Sequence, residues 1–403
     1  MKLFQRLLVA PAALGLLAPI TAANATEVNL NDISNYSDVD SIEFANSFND
    51  EELTEEPLLL AGGEGMTSFD DTSFSDTTTA SFSADFLIGA VDGALNATTS
   101  VPEEAVSASY GYQIDLSTSF TGEDSFFVSI DAGSGQAQLG EADLNSTADK
   151  LTVDGIGYQF PVGDKTQVVV GDSIDGSSLY STACAYGGFT TTLDDCGNAS
   201  SAFTTTSDAS IALSASYDIG GGWAAAIGYA GDGSNTEGLM TKAGLDMYGA
   251  QVSYTADSYG ISLTGANIES STKTSTATNE YLADTIYYAV NAYWTPEETG
   301  VVPSISVGFE NGDVKADETG NSDTNQWFLG FQWDEAGPGT LGAAIGSAGA
   351  QANDNTEDLS MYELFYSYPL NDGMTITPAV YVKEQAAGTD DLTGVMVKTS
   401  FSF

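Results

Sequence analysis

The chain of 403 residues sets 57 acidic side chains against nine basic ones and has no histidine, a formal net charge of −48 at pH 7. That balance excludes a nucleic-acid partner, whose phosphates are neutralised by Lys and Arg, and the missing imidazole removes Ser-His-Asp and Cys-His hydrolysis and His-ligated zinc or haem. With charged residues at only 16% and 19 Tyr, 19 Phe and four Trp present, the acidity is not that of a disordered chain.

Residues 1–25, MKLFQRLLVAPAALGLLAPITAANA, place Lys2 and Arg6 before an apolar run and end on Ala23-Asn24-Ala25, the pattern of a secretory signal peptide. Beyond them no window approaches the roughly 18 to 20 continuous apolar residues of a spanning helix. If this exported chain lives in a membrane, it does so without helices. Residues 26–70 are acidic and aperiodic and read as a periplasmic N-terminal segment ahead of a body covering 71–403.

From about Thr77 the texture changes to short runs of period two. Tyr110, Tyr112, Ile114 and Leu116 share one parity against Gln113 and Asp115; Ile211, Leu213 and Tyr217 oppose Ser214 and Asp218; Trp327, Leu329 and Phe331 oppose Gln326 and Gln332. About sixteen strands are predicted in this way, with starts near Thr77, Ala105, Asp124, Asp208, Asp246, Gly300, Asn371 and Asp391 among them. The connections alternate in length. Tight ones such as TGED at 121–124, PVGD at 161–164, DIGGG at 218–222 and PLNDG at 369–373 carry turn residues, and between them lie long loops rich in Gly, Ser, Thr, Asn and acid.

This alternation predicts an all-β fold, a transmembrane antiparallel β-barrel with short periplasmic turns and long extracellular loops, both termini on the periplasmic side. The apolar parity faces outer-membrane lipid and the polar parity a water-filled interior, since a barrel of this width is not filled by its own side chains. Phe120, Phe160, Tyr217, Trp223, Tyr259, Trp294, Trp333 and Tyr368 stand near the short turns as an interfacial girdle, although aromatics are also simply common in strands.

On the inward parity the wall receives Asp85, Asp115, Asp131, Asp218, Glu310 and Glu363, with Lys383 and Lys398 as positive exceptions. Inward aromatics (Phe127, Tyr287, Tyr293, Phe328, Phe365, Tyr381) are scattered, which ranks a carbohydrate or iron-species path behind general diffusion of ions and small hydrophilic solutes. Cys184 and Cys196 lie in the longest connection, about 173–207, and in an exported chain are expected to form a disulfide. No enzyme and no resident cofactor are expected: Ser173 in GDSIDG has no base, and carboxylate pairs arise by chance in so acidic a chain. Acidic loops around Asp232, Glu237, Asp313, Asp317 and Glu318 offer oxygen ligands for weakly bound Ca or Mg, but lack the spacing of a dedicated site and read first as a solvated anionic rim.

Several stretches carry a resemblance: MKLFQRLLVAPAALGLLAPITA at the start, FSDTTTASFSADFLIGA at 74–90, YQIDLSTSFTGEDSF at 112–126, YQFPVGDKTQVVVGD at 158–172, YPLNDGMTITPAVYV at 368–382 and GVMVKTSFSF at 394–403. With them the sequence resembles the cyanobacterial outer-membrane porins often labelled iron-uptake porins, related to the carbohydrate-selective porins. The resemblance implies passive diffusion across the outer membrane by a homotrimer. In general porins the third long loop folds into the barrel. By that likeness Asp194, Asp195 and Asp175 become constriction-loop candidates, and adjacent carboxylates in a narrow passage favour cations; the alternative is that the disulfide only stabilises an external loop. The terminal Phe403, with Phe401, matches the family's assembly signal. One departure is that the surface-layer-homology domain usual in these proteins is missing, only NYSDVDS at 35–41 being similar to its opening, which puts peptidoglycan anchoring in question. From a different class, a surface or adhesive β-protein would also use Gly-, Ser- and Thr-rich loops; the length alternation and Phe403 argue against it.

Overall fold

The computed structural model describes residues 78–93, 105–142, 144–196, 210–232, 238–241, 244–269, 273–275, 280–281, 284–298, 300–314, 323–352 and 358–402. The signal peptide, the segment 26–70 and Phe403 therefore lie outside the described residues.

Sixteen long strands form one antiparallel sheet: β1 Thr78–Asp92, β2 Ser107–Thr118, β3 Ser125–Gly133, β4 Thr152–Val162, β5 Thr166–Asp172, β6 Ser210–Gly220, β7 Trp223–Asp232, β8 Asp246–Thr255, β9 Tyr259–Ile268, β10 Thr285–Trp294, β11 Ser304–Val314, β12 Thr324–Ala336, β13 Gly339–Ser347, β14 Ser360–Asn371, β15 Met374–Lys383 and β16 Leu392–Ser402. Two-residue Gln351–Ala352 extends the sheet beside β12, and Lys273–Ser275 pairs with Glu280–Tyr281 in the connection after β9. Each strand pairs with the next. The last pairs with the first, from Ser83↔Ser402 to Asp92↔Thr393, while the other edge of β1 pairs with β2. The sheet is thus a closed barrel, as the even strand count and the alternation carried to the chain end predict, and closure satisfies the edges that an open sheet leaves bare.

Period two sorts the side chains in the sense opposite to a water-soluble protein. Ile88 and Leu213 are 59% and 41% exposed on the outside, whereas Asn291 and Glu310, on the inner parity, are 1% and 3% exposed. Apolar groups outside and polar groups inside suit a lipid exterior. At the end that holds both the start of β1 and the end of β16, the connections are short, such as 163–165, 221–222 and 337–338. Gly220, Gly221 and Gly222 all have positive φ (99°, 65° and 87°), a backbone open to glycine and strained for other residues. The opposite end carries the long connections, the longest being 173–209.

Aromatic side chains gather near the short turns. Trp223 lies 5.0 Å from Tyr254, which lies 5.8 Å from Tyr259; Tyr158 lies 5.3 Å from Phe160 and 6.3 Å from Phe120. The Trp333 indole N–H donates to the Val301 carbonyl at 3.2 Å. On the inner face the rings behave differently. Tyr381 stands directly opposite Gly394 and Phe365 opposite Gly342, and a Cβ on these glycines would come within 2.1 and 2.2 Å of the rings. Phe127 over Gly157, Tyr293 over Gly260 and Tyr287 over Gly312 repeat the arrangement, so inward rings lie against the wall in sockets that only glycine leaves open.

Candidate functional site

After β5 the chain does not leave the barrel but turns into it. Inward side chains on five strands between β6 and β12 then hold its backbone in order. Leu179 N donates to Ser214 Oγ on β6 at 3.3 Å. Gln251 on β8 accepts from Ser181 N at 2.7 Å and donates to Ser181 O at 2.9 Å. Asn291 on β10 donates to Thr182 O at 2.9 Å, Ser306 on β11 accepts from Ala185 N at 2.9 Å, and Gln332 on β12 accepts from Gly187 N at 3.0 Å. Because loop order follows strand order, the segment is a strap laid along the inner wall. The wall's side chains supply hydrogen bonds that a backbone without its own ladder would otherwise lack.

Glu363 on β14 is the clasp. Its two oxygens accept from Tyr186 OH (2.6 Å), Phe189 N (3.2 Å), Thr190 N (3.0 Å) and Thr190 Oγ1 (2.5 Å), and the residue is 5% exposed. Burial, and then the neighbouring carboxylate, push the Tyr186 hydroxyl well above its ordinary range, so it stays a neutral donor. Around the clasp Tyr186, Phe189 and Leu193 pack with Phe328, Met361 and Phe365. Cys184 and Cys196 are joined, with their Cα atoms 5.9 Å apart, and the bridge ties the two ends of this stretch together.

The strap continues onto a second inward segment. Thr191 N donates to Glu141 O at 2.9 Å, and Thr192 Oγ1 to Glu141 Oε2 at 2.8 Å. Lys383 on β15 pairs with Glu141 at 2.7 Å. Glu141 belongs to the connection between β3 and β4, whose Leu139, Ala142 and Leu144 are buried against Leu87 and Val91 of β1. Three glycines on adjacent strands, Gly89, Gly111 and Gly133, make room for it; a Cβ at Gly133 would meet the Asn145 carbonyl at 2.0 Å. Sequence reading takes this connection for an external loop. The inward parity shared by those glycines is the signal that could have placed it inside.

The inward candidates separate by what they do. Glu363 and Glu310 are buried rather than open to a lumen, Glu363 holding the strap and Glu310 accepting from Gln326 Nε2 at 3.1 Å. Asp131 is buried too and accepts from Thr152 Oγ1. Asp218 caps its hairpin, accepting from Gly220 N at 2.8 Å. Asp115 accepts from Ser129 Oγ at 2.6 Å and Gln113 Nε2 at 2.8 Å and is half-buried. Asp85, also half-buried, lines a cavity of about 220 Å³ with Gln113 and Asn145. Lys398 holds its ammonium 5.2 Å from the centre of the Phe189 ring.

On the strap, Asp194 Oδ1 accepts from Gly188 N at 2.9 Å and so shapes the tip. The Asp175 carbonyl accepts from Ser178 N at 3.1 Å in the first turn. The side chains of Asp195 and Asp232, and Glu237, Asp317 and Glu318 entirely, lie outside the described residues; Asp313 stands on β11 opposite Ile286. Phe401 pairs with Ala84 and Met374, its ring edge-on to Phe86 at 6.0 Å. Tyr186, Thr190 and Glu141 are the site residues that sequence reasoning missed.

No family model matches the chain, and no curated protein matches it. Solved structures do. OprB of Pseudomonas putida, in its high-pH structure, is similar with a TM-score of 0.58 at 14% identity over 81% of this chain and 94% of that one. The anion-selective porin from Comamonas acidovorans gives 0.58 at 16% identity over 81% and 99%. A porin refined at 1.8 Å resolution gives 0.53 at 16% identity over 81% and 100%. At these identities the likeness shows the fold: the chain is built as the porins are.

Proposed function

We propose that the chain is an outer-membrane porin, a passive pore for inorganic ions and small hydrophilic solutes. The observation that carries the reading is a closed sixteen-strand barrel, apolar outside and polar inside, with a disulfide-tied strap laid along its inner wall. Barrels of this size leave an aqueous passage, and a strap on the wall narrows such a passage without filling it. The route implied is export through residues 1–25 to the outer membrane and assembly there as a homotrimer. With 57 carboxylates in the chain, and Asp85 and Asp115 on the inner parity, the pore leans towards cations. General diffusion is favoured over a carbohydrate-specific path because five of the inward rings lie over glycine sockets in the wall instead of standing free as a stacking ladder.

Purified protein in a planar bilayer is expected to give discrete conductance steps and, in a KCl gradient, a reversal potential on the cation side. Absence of steps sinks the porin reading. Asp194→Asn with Asp195→Asn should shift the reversal potential towards zero if the strap tip is the filter. An unmoved potential, with a shift instead in Asp85→Asn and Asp115→Asn, transfers the filter to β1 and β2.

A further inference from the structure

The strap has a second face, turned towards the short-turn end of the barrel, and beneath it lies a cavity of about 300 Å³. Its wall carries four hydroxyls, Ser367, Thr375, Thr377 and Ser400, and one charge, Lys398, with Phe189 as the roof. This lining is unlike the rest of an acidic chain. Hydroxyls can donate as well as accept, and an ammonium donates three protons, accepts none and repels a cation. Lys383, the other inward lysine, is neutralised by Glu141 at 2.7 Å. Among the described residues no carboxylate oxygen stands within salt-bridge distance of Lys398, whose ammonium instead lies over the Phe189 ring. A ring face steadies a cation without cancelling its charge, so the positive end of Lys398 remains on offer to the cavity.

We propose that this cavity is a binding site for a small oxyanion on a hydroxylated skeleton, a phosphate ester or a hydroxy acid, entering from the short-turn side. Lys398 takes the anionic oxygens, and Thr377, Ser400, Thr375 and Ser367 exchange hydrogen bonds with the anion and its hydroxyls. The volume exceeds what a bare oxyanion needs, which is why the class includes a carbon skeleton. The carboxylate placed to oppose such a ligand is Asp85, which stands directly across the closing ladder from Ser400. The site would therefore be weak by construction, as a dwell point in a pore must be if the solute is to leave.

The proposal rests on a water-filled interior, and its test is separable from conduction. Inorganic phosphate is titrated into the detergent-solubilised full-length protein by calorimetry, with glucose as a neutral comparison at the same ionic strength. Phosphate is expected to bind and glucose to bind much more weakly. Lys398→Gln should weaken phosphate roughly tenfold or more, the loss of a charge-assisted hydrogen bond, while Lys398→Arg keeps it within a few-fold. Asp85→Asn should tighten it several-fold. Heat-modifiable migration on gels verifies that each variant is folded, and a misfolded Lys398→Gln leaves the Arg and Asp85→Asn arms to decide. Phosphate binding that is absent, or unchanged in Lys398→Gln, overturns the site, and glucose binding unaffected by Lys398→Gln turns it into a carbohydrate pocket. Binding without conductance steps would leave the site standing and sink the porin reading.

Discussion

Asp124 sits where the turn after β2 re-enters the sheet, and five donors converge on it: Tyr158 OH at 2.6 Å on one oxygen, and Phe120 N, Thr121 N, Thr121 Oγ1 and Ser119 Oγ on the other. The Tyr158 bond first, with the turn donors behind it, holds the carboxyl well below its ordinary 3.8. The folded state thus favours the carboxylate. Its contribution is complete above the ordinary value and is lost as pH falls below it towards the depressed one. Wild-type melting temperature, measured in detergent, should fall from about pH 5 to about pH 2 more steeply than that of Asp124→Asn, which starts lower at neutral pH. Equal slopes would remove Asp124 from the account. That TGED is a turn is legible in four residues. That its Asp captures a tyrosine 34 positions on is not, because the contact exists only once β2, β3 and β4 are in register.

At the level of elements, the strands and the strap were legible to different degrees for a physical reason. A strand between lipid and water must alternate, so all sixteen can be followed in the residue pattern, with starts displaced by a few residues, as at Gly300 against the observed Ser304. The strap has no period, because its polar groups are met by scattered side chains on other strands. Its disulfide agrees with the sequence expectation, whereas Glu363, expected to line the channel, is buried beneath it. Glu363→Ala strands the Tyr186 and Thr190 donors, and each buried donor left unpaired costs about 1–3 kcal/mol. Losing the Cys184–Cys196 bridge costs a further 2–3 kcal/mol or so in the chain-entropy picture. Either change should loosen the strap first and the barrel hardly at all. Single-channel current should rise and become noisier in Glu363→Ala and in Cys184→Ser with Cys196→Ser, while heat-modifiability is kept. Currents indistinguishable from wild type would mean that the strap does not limit the passage.

For the whole molecule, the long-short alternation of the connections is the most informative sequence feature, and the period-two stretch GVMVKTSFSF belongs with it, its residues up to Ser402 lying in β16, a full member of the wall. We propose that Phe403 adds an assembly signal to that pairing role. Deleting it should lower the yield of folded, heat-modifiable oligomer in membranes more than it alters the conductance of what does fold, and an undiminished yield would remove the signal. Closure also has a kinetic side. Fifteen of the sixteen long ladders join strands that follow one another in the sequence, as hairpins do, and can zip while the chain is still arriving. The sixteenth joins Ser83 to Ser402, nearly the full length of the barrel sequence, and nothing local prepares it. Until it forms, a curved sheet with two hungry edges persists, the state most prone to pairing with the wrong neighbour. By loop-closure entropy, the ladder beside Lys398 and Asp85 is therefore expected to be the last part of the wall to come into being.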